Sequence, residues 1–395
     1  MVFKTIKKEI VTALNEHEIH VPTGIQNKAI PRILAGKDVV GISKTGSGKT
    51  AAFVIPMLEH LRSDRVIQKL VICPTRELAV QIATEIKKFG KYVQAHVATV
   101  YGGMSMQPQI EEIRRGNIVV GTPGRLLDHL QRRTLNLSNL NCVVLDEADK
   151  MVDMGFINDI RMILNQTPNN RQILLFGATI SDEVLWLQNK YMKNSEVVKD
   201  EMYLKEEVLE QYYYDVEYNE KFSLLVHLLN SQPIEKVIIF CSARSTVELV
   251  AKNLKKQNIE ADMIHGKLPQ SRRLRVIENF NKGSFNILVA SAVAARGIDV
   301  KNISHVINYD LSKDPQEYVH RVGRTARAGE KGKAITLLCS RDHDAFREIL
   351  GKYQLKVVNL PKMQFEKLAF FARERSQHQN FRRGFGRFER TRRGR

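Results

Sequence analysis

The feature that most constrains this sequence is a repeated alternation of short apolar runs with amphipathic segments. The run "KLVICPT", Lys69 to Thr75, is followed by "RELAVQIATEIKKFG", in which apolar residues recur every three or four positions. An unbroken apolar run is typical of a strand buried on both faces, and the period that follows it is typical of a helix. The alternation therefore predicts an α/β fold with mainly parallel sheets flanked by helices.

Two pairs of similar segments indicate that this fold is used twice. "KLVICPTR" resembles "KVIIFCSAR" at residues 236–244, and "NIVVGTPGR" at residues 117–125 resembles the start of "NILVASAVAAR" at residues 286–296, in the same order. Chance likeness among strand cores is the alternative. Because 395 residues exceed what one core usually organises, we expect two domains, at residues 1–204 and 205–362, and a basic tail at 363–395 without a packed core.

The charge balance points to a polyanionic partner. Lys plus Arg number 61 against 43 Asp plus Glu, a formal charge of +18, and nucleic acid is the first expectation, although a basic surface could serve solubility alone. Cys73, Cys142, Cys241 and Cys339 have no metal-ligand spacing and are expected to be buried thiols in a reducing compartment. The sequence has no signal-peptide core and no apolar run of membrane-spanning length, so we expect a cytoplasmic protein without a membrane partner.

A glycine-rich segment, "SKTGSGKT" at Ser43 to Thr50, lies between the apolar "DVVGI" and the helical "AAFVIPMLEHL". In a strand, loop and helix of this kind, Gly46 and Gly48 let backbone N–H groups surround phosphate oxygens at a helix N-terminus. Lys49 then reaches the terminal phosphates and Thr50 can ligate Mg²⁺. The consensus has glycine where this chain has Ser43, but the Gly-Lys-Thr core is intact, and the loop is expected to bind a nucleoside triphosphate.

Clustered carboxylates in "CVVLDEADKM" follow another apolar run directly. Asp146, Glu147 and Asp149 would repel one another without a cation, a basic partner or bulk water. The Mg²⁺ of the bound nucleotide is the cation that Asp146 is expected to face, and Glu147 is expected to polarise the attacking water. A solvated acidic loop is less favoured because both features end buried strands of the same half.

Four further motifs complete a family resemblance. "DEAD" at 146–149 joins "PTREL" at 74–78, "TPGR" at 122–125 and "HRVGRTAR" at 320–327. The chain resembles a DEAD-box RNA helicase over about residues 1 to 362, and "MVDMGFINDI" and "NNRQILLF" are most similar to the bacterial RhlE-type branch. The resemblance implies two RecA-like domains with ATP in the cleft between them and RNA running across both on another face.

The resemblance also implies roles for individual residues. Gln26 reads adenine; the position of the base-stacking aromatic falls at Met1 by spacing, with Phe3 the nearest aromatic. Arg324 and Arg327 match the arginine fingers, and Asp299 matches a ribose contact. The implied ATP site comprises Gln26, Ser43, Thr45, Gly46, Ser47, Gly48, Lys49, Thr50, Asp299, Arg324 and Arg327, with Mg²⁺ at Thr50 and Asp146. The implied catalytic set is Lys49, Asp146, Glu147, Arg324 and Arg327.

RNA contacts and coupling residues follow from the same resemblance. RNA would meet Thr75, Arg76, Gly102, Gly103, Thr122, Gly124, Arg125, Gln270, Arg273 and Ser291. These residue types bind the RNA backbone, so little sequence specificity is expected. The two domains would be coupled through Asp149, Gly177, Thr179, His320 and Arg321. We expect a monomer, with proteins of the ribosome or of RNA degradation as candidate partners.

Two departures from the family pattern leave two interpretations open. "FGATI" has Gly177 where the family has serine, and "SAVAARGID" has Ala292 where the family has aspartate, while Ser291 keeps a hydroxyl. Each lost hydrogen bond typically costs about 1 kcal/mol, enough to weaken a conformational switch. The chain is therefore expected to be an ATP-dependent RNA helicase or, alternatively, an ATP-gated RNA clamp that unwinds poorly; a DNA translocase ranks below both.

The last segment, "NFRRGFGRFERTRRGR", interleaves arginine with phenylalanine and glycine. Arginines neutralise phosphates and phenylalanines stack on bases, so this segment is expected to bind single-stranded RNA. A disordered solubilising end is the alternative.

Overall fold

The chain forms two sheets, described here from a computed structural model. The structure describes residues 2–43, 46–200, 209–291, 300, 302–312, 314–326, 332–353 and 355–371. Thr45, Ala292, Asp299, Arg327 and the arginine-rich tail lie outside these ranges. Within the described residues, no helix is long and apolar enough to cross a bilayer.

The first sheet has seven strands, all paired in parallel. They are β1 Val39–Ile42, β2 Lys69–Ile72, β3 Val97–Val100, β4 Ile118–Gly121, β5 Cys142–Asp146, β6 Gln172–Gly177 and β7 Glu196–Lys199, in the order β3-β4-β2-β5-β6-β1-β7. β2, β4 and β5 are buried along their whole length, as unbroken apolar runs predict.

Helices cover both faces of this sheet. They are α1 Lys8–Asn15, α2 Gly24–Leu34, α3 Lys49–Glu59, α4 Arg76–Phe89, α5 Met106–Arg115, α6 Pro123–Gln131, α7 Ala148–Asp153, α8 Ile157–Leu164 and α9 Asp182–Tyr191. One core cluster includes Phe53 of α3 and Phe176 of β6, whose ring centroids are 5.4 Å apart. A second cluster, on the other face, joins Val143 of β5 to Leu126 of α6.

The second sheet repeats the plan of the first. Its strands are β8 Leu209–Asp215, β9 Val237–Cys241, β10 Asp262–Ile264, β11 Ile287–Ser291, β12 His305–Asn308, β13 Gly332–Leu338 and β14 Val358–Asn359. Their order, β10-β11-β9-β12-β13-β8-β14, matches that of the first sheet strand for strand. The similar segments of the sequence fall on β2 and β9 and on β4 and β11, which occupy equivalent positions. The prediction of two RecA-like α/β units is confirmed.

Helices of the second unit are α10 Lys221–Ser231, α11 Arg244–Lys256, α12 Gln270–Lys282, α13 Pro315–Val322 and α14 His343–Tyr353. All four cysteines of the chain are free and buried, two in each unit. Burial raises the pKa of the Cys142 thiol to about 11, which makes this thiol a poor nucleophile.

Packing of the second unit continues past residue 362, where the sequence placed the start of the tail. Residues 363–371 form an extended strap along α10 and α11. Phe370 contacts Phe222 with ring centroids 5.1 Å apart, and the Phe371 carbonyl accepts a hydrogen bond from Asn253 at 3.2 Å. Met363, Phe365 and Leu368 also pack on this core, because the strap carries an apolar residue every two or three positions.

Candidate functional site

The glycine-rich loop connects the carboxyl end of β1 to the N-terminus of α3. Gly48 has a φ of +90° and a Cβ there would lie 2.5 Å from the Gln26 side chain, so only glycine fits. Lys49, which is 8 % exposed, begins α3 and donates from Nζ to the carbonyls of Ser43 and, at 3.3 Å, Gly177. Its ammonium is thus held inside the loop that the sequence assigned to phosphate.

The other described residues of the loop and Gln26 hold its shape. Gln26 donates from Nε2 to the Gly48 carbonyl at 3.1 Å and accepts from the Thr23 amide at 3.0 Å. The hydroxyls of Ser43 and Ser47 lie 2.7 Å apart. The buried Gln26 side chain is thus hydrogen-bonded to the backbone of the loop. Phe3 is 8 % exposed and belongs to the core of the first unit, which leaves little of its ring for a base.

Asp146 and Glu147 end β5, two strands from β1 in the sheet. Both are buried, at 3 % and 7 % exposed. Burial, followed by the charge of Glu147, raises the pKa of Asp146 to about 7. Burial acts to raise the pKa of Glu147 too, but the charges of Lys150, Arg324 and Lys49 outweigh it and leave the pKa below its ordinary value. Glu147 therefore stays ionised at neutral pH.

The geometry of Glu147 leaves one carboxylate oxygen available. Lys150 donates from Nζ to Oε1 of Glu147, and both side chains are buried. Oε2 is also buried and has no hydrogen-bond partner among the described residues. Glu147 has a left-handed backbone, φ 54° and ψ 48°, and residues in this region cluster at functional sites. Lys150 escaped the sequence analysis, although its position directly after the carboxylates was a signal.

Asp149 connects β5 to the loop after β6. Its Oδ2 accepts from the amides of Ala178 and Thr179, both at 2.9 Å, and from the Thr179 hydroxyl at 3.1 Å. These three donors make the connection that the sequence expected to need a hydroxyl at 177. A Cβ on Gly177 would lie 3.2 Å from the Thr179 carbonyl oxygen and 3.3 Å from Cγ of Asp149, so the site is already closely packed.

Two basic residues of the second unit, His320 in α13 and Arg324 just after it, lie close to these carboxylates. Arg324, 4 % exposed, contributes to the low pKa of Glu147 across the cleft. Burial, and then the charge of Lys150, lowers the pKa of His320 to about 4, so this imidazole is neutral at pH 7. Arg321 instead donates within its own unit, to the Asp310 carbonyl at 2.7 Å and to Glu317.

The first unit's predicted RNA residues lie at the carboxyl ends of neighbouring strands. Thr75 caps α4 by accepting from the Leu78 amide at 3.3 Å, and the guanidinium of Arg76 covers Gly102 and Gly103. Arg125 donates to the Met104 carbonyl at 3.1 Å, beside the two glycines. Thr122 and Gly124 lie at the start of α6, three residues or fewer from Arg125. The structure brings this set together on one edge of the sheet.

The second unit's predicted RNA residues are divided. Gln270 and Arg273, in the first turn of α12, donate to Oε1 of Glu77 at 2.8 and 2.9 Å, which places them against the first unit. Ser291 ends β11 and lines a pocket with Ser242 and Asp310. Glu77 is a site residue that sequence reasoning missed, although it lies within the quoted "PTREL" and is a carboxylate in an otherwise basic motif.

The site fits a magnesium nucleotide. Asp146 is a buried carboxyl whose pKa stays raised in spite of the charges of Lys49 and Lys150, and Oε2 of Glu147 beside it lacks a donor among the described residues. A cation and its water would meet both needs.

Comparisons with known proteins agree with this geometry. The family model described as "DEAD/DEAH box helicase" matches residues 23–186, and "Helicase conserved C-terminal domain" matches residues 220–329. The DEAD-box ATP-dependent RNA helicase CshA of Bacillus subtilis is 42 % identical over 349 residues, 87 % of this chain and 70 % of CshA.

Two solved structures have the same fold. Dbp5 of S. cerevisiae, bound to RNA and ADP BeF3, is 30 % identical with a TM-score of 0.83, and the match covers 90 % of this chain and 94 % of that one. Mss116p, bound to ssRNA and AMP-PNP, is 28 % identical with a TM-score of 0.81, covering 91 % and 78 %. With family models on both units and a relative of this identity over most of its length, the chain belongs to the DEAD-box family of ATP-dependent RNA helicases.

Proposed function

We propose that this chain is an RNA-dependent ATPase that uses ATP hydrolysis between its two units to separate short RNA duplexes or remodel RNA–protein complexes. The observation that carries the proposal is the convergence of Lys49, the Asp146–Glu147 pair and Arg324 from both units on one cleft. The RNA and nucleotide bound to Dbp5 and Mss116p support the same ligands for this chain.

Nucleotide binding rests on the loop and on Gln26. Lys49 is already surrounded by two carbonyls, so its ammonium is positioned before phosphate arrives and loses little conformational entropy on binding. Thr50 and Asp146 would hold Mg²⁺, which neutralises charge on the transferred phosphoryl group. Asp146 must be ionised to do so, and the nearby ammonium of Lys49 favours that state.

Hydrolysis rests on Glu147 and Arg324. Glu147 is anionic, its Oε1 is fixed by Lys150, and its free Oε2 is oriented to accept a hydrogen bond from the attacking water. Arg324 arrives from the second unit and stabilises the charge that develops on the γ-phosphate. Because the arginine and the glutamate come from different units, hydrolysis requires closure of the cleft. The contact of Glu77 with Gln270 and Arg273 favours that closed arrangement.

The remaining assignments belong to the same proposal. They are the roles of the individual RNA residues, the boundary at 204, a cytoplasmic location, a monomeric state, and partners from the ribosome or from RNA degradation. The RhlE-type branch stays a prediction. The clamp interpretation rested on Gly177 and Ala292, and the three donors to Asp149 weaken its first support.

The test compares two variants of the same site. Lys49→Ala is expected to lose ATP binding, whereas Glu147→Gln is expected to bind ATP and RNA but hardly turn ATP over. Nucleotide affinity, RNA-stimulated ATPase rate and strand displacement are measured side by side. A Glu147→Gln protein that hydrolyses ATP at the parent rate would remove Glu147 from the proposed role. Parent protein with RNA-stimulated ATPase but no strand displacement would favour the clamp.

A further inference from the structure

A second polar pocket lies in the first unit, at the edge of the sheet opposite the ATP cleft. Its volume is about 420 Å³, within the range of small-molecule sites. Its lining residues precede or begin strands: Asp38 before β1, Lys69 at the start of β2, Asn141 before β5 and Arg171 before β6. The glycine-rich loop and Asp146 follow the carboxyl ends of the same strands, so the two sites lie on opposite edges of one sheet.

The pocket is rich in positive charge. Four of its residues are basic, His60, Lys69, Arg171 and Lys193, against the single carboxylate of Asp38. That carboxylate is already bound, because Oδ1 accepts from the Ile173 amide at 2.7 Å and Oδ2 from the Lys193 amide at 2.6 Å. Three basic side chains, Lys69, Arg171 and Lys193, therefore line the pocket with one carboxylate that is engaged with the backbone.

Lys69 is the unusual member of this group. It is 3 % exposed, yet within the described part of the chain its ammonium makes no hydrogen bond and no ion pair. Burial is the main reason why its pKa is lowered, and the nearby charges of Arg62 and Lys7 act in the same direction. The side chain is buried, but its ammonium nitrogen opens onto the pocket that Lys69 lines, where it is available to an anionic ligand.

Two more polar atoms of the lining residues are unsatisfied. Nε of Arg171 is a buried donor and Oδ1 of Asn141 is a buried acceptor, and neither has a partner among the residues that the structure describes. A ligand with anionic oxygens and a hydroxyl would satisfy Lys69, Arg171 and Asn141 together. A phosphate group that carries one proton has this set of atoms.

We propose that this pocket binds a phosphate group, either free phosphate or the terminal phosphate of a larger molecule. A concave pocket with its ammonium at depth suits a terminal phosphate, whereas a continuous RNA backbone needs an open groove. Two sources share this chemistry: a small phosphorylated solute and the 5′-monophosphate end of an RNA.

The test uses the full chain with its ATP site filled by unlabelled AMP-PNP and Mg²⁺, and measures ³²P-labelled inorganic phosphate by equilibrium dialysis. Parent protein is expected to bind about one phosphate per chain. Lys69→Met and Arg171→Met are each expected to weaken binding at least about tenfold, because each removes a charge-assisted hydrogen bond. Lys255→Met, which removes the same charge from α11 of the second unit, is expected to bind phosphate as the parent does.

Several results would overturn the proposal: no phosphate bound by the parent, parent-like binding by Lys69→Met, or equal losses in Lys69→Met and Lys255→Met. Lys69→Met should fold, because methionine fills the same buried space without a charge. A second measurement identifies the source. The affinity of the protein for a short RNA with a 5′-monophosphate is compared with its affinity for the same RNA with a 5′-hydroxyl. Tighter binding of the 5′-monophosphate RNA that is lost in Lys69→Met assigns the site to an RNA end. Equal affinities for the two RNAs assign the site to a small phosphorylated solute.

Discussion

Removing the carboxylate of Glu77 should weaken the closed state of the two units without harming either unit. Glu77 is 5 % exposed, in the first turn of α4, and its Oε1 receives Nε2 of Gln270 at 2.8 Å and Nη2 of Arg273 at 2.9 Å. The two donors come from α12 of the second unit. The contact therefore exists only when the units are together, and its free energy belongs to closure.

The magnitude follows from the kind of bond. A hydrogen bond to a charged group contributes about 1.5–3 kcal/mol, and the side chain of Arg273 is only 13 % exposed at this contact, which limits screening by water. Since 1.4 kcal/mol is a factor of ten, Glu77→Ala should weaken ATP-dependent RNA binding about 10- to 100-fold.

The assay is fluorescence anisotropy of a labelled single-stranded RNA, with and without AMP-PNP and Mg²⁺. RNA binding without nucleotide and nucleotide binding without RNA should both stay close to the parent. Glu85→Ala is the matched control, because Glu85 lies on the same helix and makes only a 3.9 Å ion pair with Lys88. RNA affinity of Glu77→Ala equal to that of Glu85→Ala in the presence of AMP-PNP would refute the reasoning.

A double-mutant cycle then separates two roles for Arg273. If Arg273 acts only through Glu77, the Glu77→Ala/Arg273→Ala protein should be no weaker than either single variant. An additional loss in the double variant would mean that Arg273 also contacts RNA, as the family resemblance implies.

Three further predictions concern other parts of the chain. Gly177→Ser should leave the number of strands separated per ATP unchanged and lower Tm slightly, because Asp149 already has its donors and a Cβ would sit 3.2 Å from the Thr179 carbonyl oxygen; a clear rise in strands per ATP would contradict this. Lys69→Met should make the free energy of unfolding in urea less dependent on pH. Burial lowers the pKa of Lys69 in the folded state, so the unfolded chain binds more protons than the folded chain in the pH range between the two pKa values. The free energy of unfolding of the parent therefore rises with pH up to about 10.4. A variant with the parent's slope would show that Lys69 is not desolvated. Deleting residues 376–395 should weaken RNA affinity and make it less dependent on salt concentration, while the ATPase rate at saturating RNA stays the same. If the RNA dissociation constants of the full-length and truncated proteins are equal at every salt concentration, the tail has no role in RNA binding.

Local sequence patterns predicted the parallel sheets and the paired units well. β2, β4 and β5 are buried on both faces and are therefore mainly apolar, so each can be recognised in the sequence as a run of apolar residues. The glycine-rich loop and the carboxylates were equally visible, because phosphate and Mg²⁺ require particular residue types at fixed spacing along one loop.

Contacts between distant segments were not predictable in this way. The sequence around Glu77 does not indicate that Gln270 and Arg273 are its partners. The pairing depends on how the two units meet, since 193 residues separate Glu77 from Gln270. The donors that replace a hydroxyl at Gly177 could not be predicted for a related reason, because two of the three donors to Asp149 are backbone amides, which every residue except proline possesses. The strap at 363–371 was taken for tail because its apolar residues are widely spaced and make no regular element.

The pocket around Lys69 could not be predicted from the sequence. Its members come from five separate connections, and a lysine at the start of an apolar run resembles any solvent-exposed strand end. Only the three-dimensional arrangement reveals that the Lys69 side chain is buried and lines this pocket.

The central claim is that ATP hydrolysis in this chain is driven by RNA-dependent closure of the cleft. The most direct measurement is the steady-state ATPase rate of the full chain alone, with single-stranded RNA, and with single-stranded DNA of the same sequence. The account predicts a low rate alone, a large stimulation by RNA and little by DNA, with the stimulation lost in Glu147→Gln. An ATPase rate that is the same with and without RNA would contradict it.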